Sequence, residues 1–437
     1  MSRPGAVVFF GGLSVLARHG RVLTEARARG LACLLLSFGE PSTRDRLERR
    51  RREAGHPFAA LAEVAYVPGA DTGLVLRQLA DWTATYRLRA VLSCGEVFVD
   101  PAGIAADLLG LPGPGLRAAR VCRDKFLQRR YLAELSPASV LVRPEERAAA
   151  QDRGRWPAAE VVLKPTGRMS SSGVRMVRTV AGLRAGFAAL RPDEPVLLEE
   201  RVPGPEFSVE TLVQDGTVVA CGITGKRTNE GRTEYFAELA HVVPALLDPE
   251  QERALRTANA AVLSRLEVEN GITHAEFRLC PGGRAVLMEV AARVPGDGIT
   301  YLYDLATGGC LEPALLDIAL GVPARYPPPR RRATHVYLEH PPGRLAAVHA
   351  APAPTWIGAT DRWPELPPLP ADAAPCCRAV LVWRNPGDRL VPVAESDDRA
   401  ASIMVDAPLA ADIDDFAARV AGTVTIEVQP PGGTPPG

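Results

Sequence analysis

Apolar residues in the first quarter of the chain fall into short β-type runs at 7–10, 31–36, 64–67 and 90–93, separated by helical stretches such as 72–86. This alternation of strand and helix predicts a parallel sheet of Rossmann-like type over residues 1–116. The run 44–53, RDRLERRRRE, mixes both charge signs at helical spacing. It reads as a solvated helix face rather than a nucleic-acid patch. From 117 the pattern becomes one long helix to 135, then a strand–loop–strand centred on 167–173, further strands, and a helix over 249–266. The Pro- and Arg-rich stretch 326–332 reads as a linker. Beyond it, 333–428 carries strand-like runs at 335–338, 379–383 and 423–428 and reads as a small α+β segment, with 429–437 a disordered tail. The expected division is therefore 1–116, 117–325 with a subdomain at about 137–200, and 333–428.

Charge and composition narrow the classes. With 51 basic against 51 acidic residues among 437, nothing pulls the chain electrostatically toward nucleic acid or an anionic membrane. No apolar run reaches a membrane-spanning length and no basic-plus-hydrophobic leader opens the sequence, so the expected location is the cytoplasm. The eight cysteines are scattered without a C-x-x-C pair, which suits buried thiols in a reducing compartment. Only three of the 51 basic residues are lysines, namely Lys125, Lys164 and Lys226. In a chain that has drifted to arginine, each surviving lysine marks a place where a compact ammonium does what a planar guanidinium cannot.

Their contexts carry chemistry. Lys164 ends a β-type run and is followed by Gly167, Ser170, Ser171, Ser172 and Gly173 before a second β-type run. Such a tip exposes backbone N–H groups and hydroxyls suited to phosphate oxygens, although no G-x-x-x-x-G-K-[ST] loop occurs. The Gly11-Gly12 pair after the first strand lacks a G-x-G-x-x-G pattern and reads as scaffold. Further on, Gly282-Gly283 separates two β-type runs, and a two-residue hairpin there sets Glu276 directly opposite Glu289. Like charges facing across a sheet are unfavourable unless a cation sits between them, and Mg²⁺ suits paired carboxylates beside phosphates. Period two puts His274 and Arg278 on the Glu276 face and Ala275, Phe277 and Leu279 on the core face. The run 196–202, ending in Glu199-Glu200-Arg201-Val202 and followed by Glu206, offers a strand edge to a purine and a carboxylate to ribose hydroxyls.

Taken in this order, Arg123-Asp124-Lys125, the Lys164–Gly173 stretch, Glu199 to Val202 with Glu206, and Glu276 with Glu289-x-x-x-Arg293 resemble the ATP-grasp superfamily of carboxylate–amine ligases. Glu238-Leu-Ala-His241, the His274–Arg278 strand and Arg293-x-x-Gly296 make the chain most similar to the L-amino-acid ligases that form dipeptides. The resemblance implies an ATP-grasp fold of α/β and α+β elements, with a Rossmann-like N-terminal domain and a C-terminal α+β cap. It implies that Lys125 and Lys164 bind ATP phosphates beneath a lid of Ser170, Ser171, Ser172 and Gly173. Glu199, Glu200, Arg201, Val202 and Glu206 would contact the nucleoside, and Glu276 and Glu289 would hold magnesium, with manganese as a substitute. Arg293 would stabilise the transferring phosphoryl, and Glu238, His241 and Gly296 would line the amino-acid site. Glu238 or His241 would take the amine proton, and Lys226 would reach a phosphate, a substrate carboxylate or merely the surface. The expected products are an amide, ADP and phosphate, from small-molecule substrates and a homodimeric protein. Many relatives carry Glu-x-Asn after the second metal carboxylate; Ala291 stands there, so a second ion would have one ligand fewer. An enzyme with another acceptor, such as bicarbonate, a purine precursor or a carrier protein, and a nucleotide-binding regulator without catalysis are the competing readings.

Overall fold

The computed structural model describes residues 3–430. Four parallel strands form the N-terminal sheet, in the order Leu61–Tyr66, Ala32–Ser37, Gly5–Phe10 and Arg87–Ser93. Residues Ala6 to Phe10 are wholly buried, the mark of a central strand covered on both faces by helices. The mixed-charge run lies on the helix Pro41–Arg52, where only Leu47 is buried.

The predicted helix over 117–135 is broken. It forms as Leu116–Cys122 and Lys125–Tyr131, because the Asp124 carboxylate accepts from the N–H groups of Phe126 and Leu127 and caps a new helix. That restart puts Lys125 on a first turn, with Arg129 one turn further along the same face.

A four-stranded antiparallel sheet follows, ordered Ser139–Val142, Val196–Glu200, Val161–Pro165 and Arg175–Val177. It packs around its own small core of Val161, Leu163, Leu183, Val196 and Leu198.

Nine strands build the central sheet, running from Ala285–Ala291 through Gly271–Leu279, Glu206–Gln214, Thr217–Thr228 and Glu238–Val243. The C-terminal strands Arg331–Tyr337, Ala401–Pro408, Cys376–Val382 and Thr355–Trp356 continue the same sheet. The segment read as a linker thus ends inside a strand. Arg331 is fully buried, clamped by both carboxylate oxygens of Asp406 at 3.0 and 3.2 Å. A further three-stranded sheet includes Thr425–Gln429, so the predicted tail begins in ordered backbone at Gln429; its residues 431–437 lie outside the described ones.

One helix positions the site. Asp248 and Gln251 form a capping box at the start of Pro249–Leu266. Its Leu255, Val262 and Leu266 pack on Ala275, Phe277 and Leu279. Each buried aliphatic or aromatic side chain contributes about 2 kcal/mol. A one-residue slip would drive Glu276 into that core, so the packing fixes the register that turns His274, Glu276 and Arg278 the other way.

Candidate active site

Glu276 faces Glu289 as predicted, by a different route. The hairpin loop has three residues, Pro281 to Gly283, since the Cys280 N–H donates to Arg284 O. A bulge at Met288 then restores the pairing of Glu276 with Glu289. The bulge also frees the Met288 carbonyl, which accepts from Arg129 Nη2 at 2.6 Å and Lys164 Nζ at 3.4 Å.

All three lysines converge on this region. Lys125 Nζ donates to Arg168 O at 2.6 Å and to Glu289 Oε1 at 2.9 Å. Lys164 Nζ lies 2.5 Å from Glu199 Oε2, and the same carboxylate takes Arg129 Nε at 2.6 Å and Nη2 at 3.2 Å. Burial pushes Lys164 down to about 8, with Glu199 opposing and Arg129 adding to the fall. Burial raises the Glu199 carboxyl, but Arg129 and Lys164 more than reverse this and hold it below its ordinary value.

Behind the lining carboxylates, Lys226 Nζ is 2.5 Å from Glu276 Oε1 and 3.7 Å from Glu206 Oε1, and bonds Glu238. Burial opposes its charge, yet these three carboxylates hold it well above the usual lysine range. His274 bridges Glu210 Oε1 at 2.8 Å and Glu276 Oε1 at 3.0 Å, one ring nitrogen to each. Burial lowers His274, but the two carboxylates raise it to about 9, so it donates from both nitrogens. Glu210 is fixed in turn by Ser208 and Thr224, each at 2.6 Å, and by Tyr303 at 2.8 Å.

Arg293 donates from Nε to Glu96 Oε2 at 2.6 Å and from Nη1 to Val294 O at 2.8 Å. Glu96, 4% exposed, also accepts from Arg123 at 3.0 Å. The loop of Ser170 to Ser172 lines the cavity and is tied down on it: the Ser171 hydroxyl donates to Phe236 O and the Ser396 N–H to Ser170 O, both at 3.2 Å. Ser170, Ser171 and Gly173 adopt left-handed backbone angles there. For two adjacent serines that conformation carries strain, which is commonly stored at functional loops.

One cavity is lined by Lys125, Lys164, Ser170 to Ser172, Glu199 to Val202, Glu206, Glu238, Glu276, Glu289, Arg293 and Gly296. The sequence-based candidates are therefore brought together, with four refinements. Glu199 spends its carboxylate on Arg129 and Lys164 and presents none to a ligand. Arg201 directs its guanidinium to Glu230 at 2.8 Å. Lys226 is enclosed by carboxylates rather than free at the surface or open to a phosphate, because the even-numbered residues of four adjacent strand segments converge on it. His241 stands behind Glu238, with Nε2 3.3 Å from Glu238 Oε2, and is not on the cavity wall.

Among the described residues, two groupings that could take a cation lie here, Glu206–Glu238–Glu276 and Glu238–His241–Asp297. For the pair Glu276 and Glu289, the donor set fits a hard divalent ion: facing carboxylates, each already drawing an ammonium group onto its oxygen.

A family profile described as an ATP-grasp domain matches residues 158–301, which span most of this cavity's lining. The chain carries an ATP-grasp domain. An alanine–anticapsin ligase of Bacillus subtilis is 26% identical over 274 residues, 56% of this chain and 56% of that protein. A D-alanine–D-alanine ligase of Mycobacterium avium is 30% identical over 231 residues, 48% of this chain and 62% of that one. The chain thus spans a little over half the length of the curated relatives it matches. Among solved structures, the L-amino acid ligase from Bacillus licheniformis superposes with a TM-score of 0.75 at 19% identity, over 98% of this chain and 100% of that one. The fold likeness to that structure accordingly takes in the N-terminal sheet and the C-terminal strands as well as the matched residues 158–301. No helix of the described residues is long and apolar enough to cross a membrane.

Sequence reasoning missed Glu96, Arg129 and Glu210. Arg129 had a signal, its four-residue spacing from Lys125. Glu96 follows the last parallel strand, at the carboxyl edge where open α/β sheets present ligand groups. Glu210 had none, being one acid in a strand that alternates Ser208, Val209, Thr211 and Leu212 around it.

Proposed function

We propose that the protein is an ATP-dependent ligase. It activates a small carboxylate, an amino acid in the first instance, as an acyl phosphate and joins it to an amine. The observation that carries this reading is a cavity in an ATP-grasp domain that gathers Lys125, Lys164, Glu276 and Glu289 on its lining, with Lys125 bonded to Glu289 and Arg129 supporting Lys164 through Glu199.

In this reading a substrate carboxylate oxygen attacks the terminal phosphorus of ATP, and the bond to ADP breaks with its electron pair leaving on ADP. The amine nitrogen then attacks the acyl carbon, phosphate departs with the C–O electron pair, and the amine proton passes to a base. Phosphoryl transfer asks the protein mainly for positioning and charge. Lys125 and Lys164 would hold the phosphates beneath Ser170 to Gly173. Backbone at Glu200 to Val202 would meet the base and Glu206 the ribose. Glu276 and Glu289 would hold magnesium, which when bound neutralises charge on the phosphate oxygens. Arg293, fixed by Glu96, would face the transferring group. Glu238 would take the amine proton, with His241 behind it as support and Gly296 leaving room for the substrate. The closed lid would exclude water from the acyl phosphate. The domain division at 1–116, 117–325 and 333–428 belongs to the same reading.

The test is phosphate release from ATP over pairs of amino acids, with mass spectrometry of the products. Release that needs both a carboxylate and an amine, with an amide as product, is the expected result. A protein that binds Mg·ATP and never turns over with any pair would be a nucleotide-binding regulator, and release with bicarbonate alone would change the acceptor.

A further inference from the structure

The cavity opens into a second compartment of about 770 Å³, walled by all three layers of the molecule. Arg293 and Gly296 line both spaces. From the N-terminal domain comes Arg18, the last residue of the helix Leu13–Arg18. From the C-terminal strands and loops come Tyr337, Trp363, Trp383 and Arg399.

The guanidinium groups here are not treated alike. Arg293 is held by Glu96. Arg399 takes both oxygens of Asp297, at 3.0 and 2.6 Å, and lies 3.7 Å from the Tyr337 ring centroid. Arg18 donates to no acceptor among the described residues, and its buried Nε has no partner. Asp297 is hydrogen-bonded to Arg399, and Glu96 to Arg293 and Arg123; neither hydrogen-bonds Arg18, although Asp297 is close enough to act on its charge. Burial, with Arg293 and Arg399 alongside, lowers its hold on its proton against the pull of Asp297 and Tyr337. A half-buried guanidinium whose Nε is shut off from water and which bonds no anion is costly, and its planar fork matches a carboxylate.

Beside it stands an aromatic wall. The Trp363 ring centroid is 5.6 Å from Arg18 Cζ, Trp383 lies 6.4 Å from Trp363, and Tyr337 lies 5.7 Å from Trp383. Aromatic faces at these spacings take a flat or apolar side chain.

We infer that Arg18 anchors a second carboxylate subsite, which takes an amine substrate bearing its own carboxylate and an aromatic or large apolar side chain. This rests on the ligase reading for the role of the ligand as acceptor. With its carboxylate on Arg18 and its side chain on Trp363 and Trp383, the ligand's amine is directed toward the space shared with Arg293, where the activated carbonyl would lie.

The test is calorimetric binding of L-phenylalanine and of L-phenylalaninamide to the protein saturated with magnesium and a non-hydrolysable ATP analogue. The wild type is expected to bind the free acid at least tenfold more tightly than the amide. Arg18→Gln should abolish that preference while keeping its affinity for the ATP analogue, which shows that it is folded, and Arg18→Lys should restore part of it. Equal binding of acid and amide by the wild type, binding of neither, or a preference that survives in Arg18→Gln would overturn the inference. A preference that depends on Arg18 in a protein that never releases phosphate would uphold the subsite and remove the ligase reading.

Discussion

Lys164 lines the cavity and Lys226 lies enclosed behind its carboxylates Glu206, Glu238 and Glu276, and the two lysines hold their protons very differently. Around Lys164 stand one carboxylate, Glu199, and a second cation, Arg129, and burial brings the ammonium to about 8. Around Lys226 stand three carboxylates, Glu206, Glu238 and Glu276, and it is held well above its usual range. The lid-side wall therefore has an excess of positive charge and lacks an anion. On the other side the carboxylates Glu206, Glu238 and Glu276 are matched by Lys226, protonated His274 and Arg278, the last bonded to Glu206 at 3.0 Å. In the proposed reading, a nucleotide's phosphates would answer the cationic surplus around Lys164, and Glu276 and Glu289 would hold the divalent ion that accompanies them. Identical residue types thus carry different roles, and what distinguishes them is the count of charges around each.

The contrast can be broken from either side. The largest effect is expected from Glu276→Gln, which removes one charge from the carboxylates around Lys226 and half of the facing pair. Turnover should fall about a thousandfold or more, as for loss of a metal-holding carboxylate, in a steady-state assay of ADP formation. Arg293→Ala should lower kcat by about 100-fold while moving the KM for ATP by only about threefold, if, as proposed, its guanidinium serves the transferring group. The reverse split would move Arg293 from chemistry to nucleotide binding.

Lys164→Arg keeps the charge and loses the compact ammonium, so the KM for ATP should rise about tenfold. The same variant tests the titration. Lys164 is charged below about 8, so kcat/KM for ATP in the wild type should decline as pH rises through that value. Lys164→Arg should lack this limb. A wild-type profile flat from pH 7 to 9 would show that the proton on Lys164 does not matter. The smallest catalytic effect is expected from Glu210→Gln, which leaves the cavity wall intact but weakens the acceptor of Ser208, Thr224, Tyr303 and His274. Its cost should appear as stability, about 3 kcal/mol in urea unfolding, with activity changed only a few fold.

Much of this was legible in the sequence where chemistry and periodicity coincide. The N-terminal strands declared themselves by continuous apolar runs, and the three lysines by their rarity. The facing glutamates were found although the assumed two-residue loop was one residue short, because the bulge at Met288 offset the error. That bulge had no sequence signal, yet it presents the carbonyl on which Arg129 and Lys164 rest. Long-range partnerships were invisible. Glu96 reaches Arg293 across 197 positions of sequence, and nothing near either residue announces the pair. Continuation of the central sheet into the C-terminal strands was equally hidden, since the linker's proline run masks the arginine that starts the next strand.

The central claim is an acyl phosphate made in this cavity, and hydroxylamine trapping tests it most directly. With ATP, magnesium, an amino acid and hydroxylamine, the wild type should yield the amino-acid hydroxamate in equal amount to ADP, and Glu276→Gln almost none. ADP formed without hydroxamate under those conditions, or hydroxamate formed undiminished by Glu276→Gln, would contradict the account.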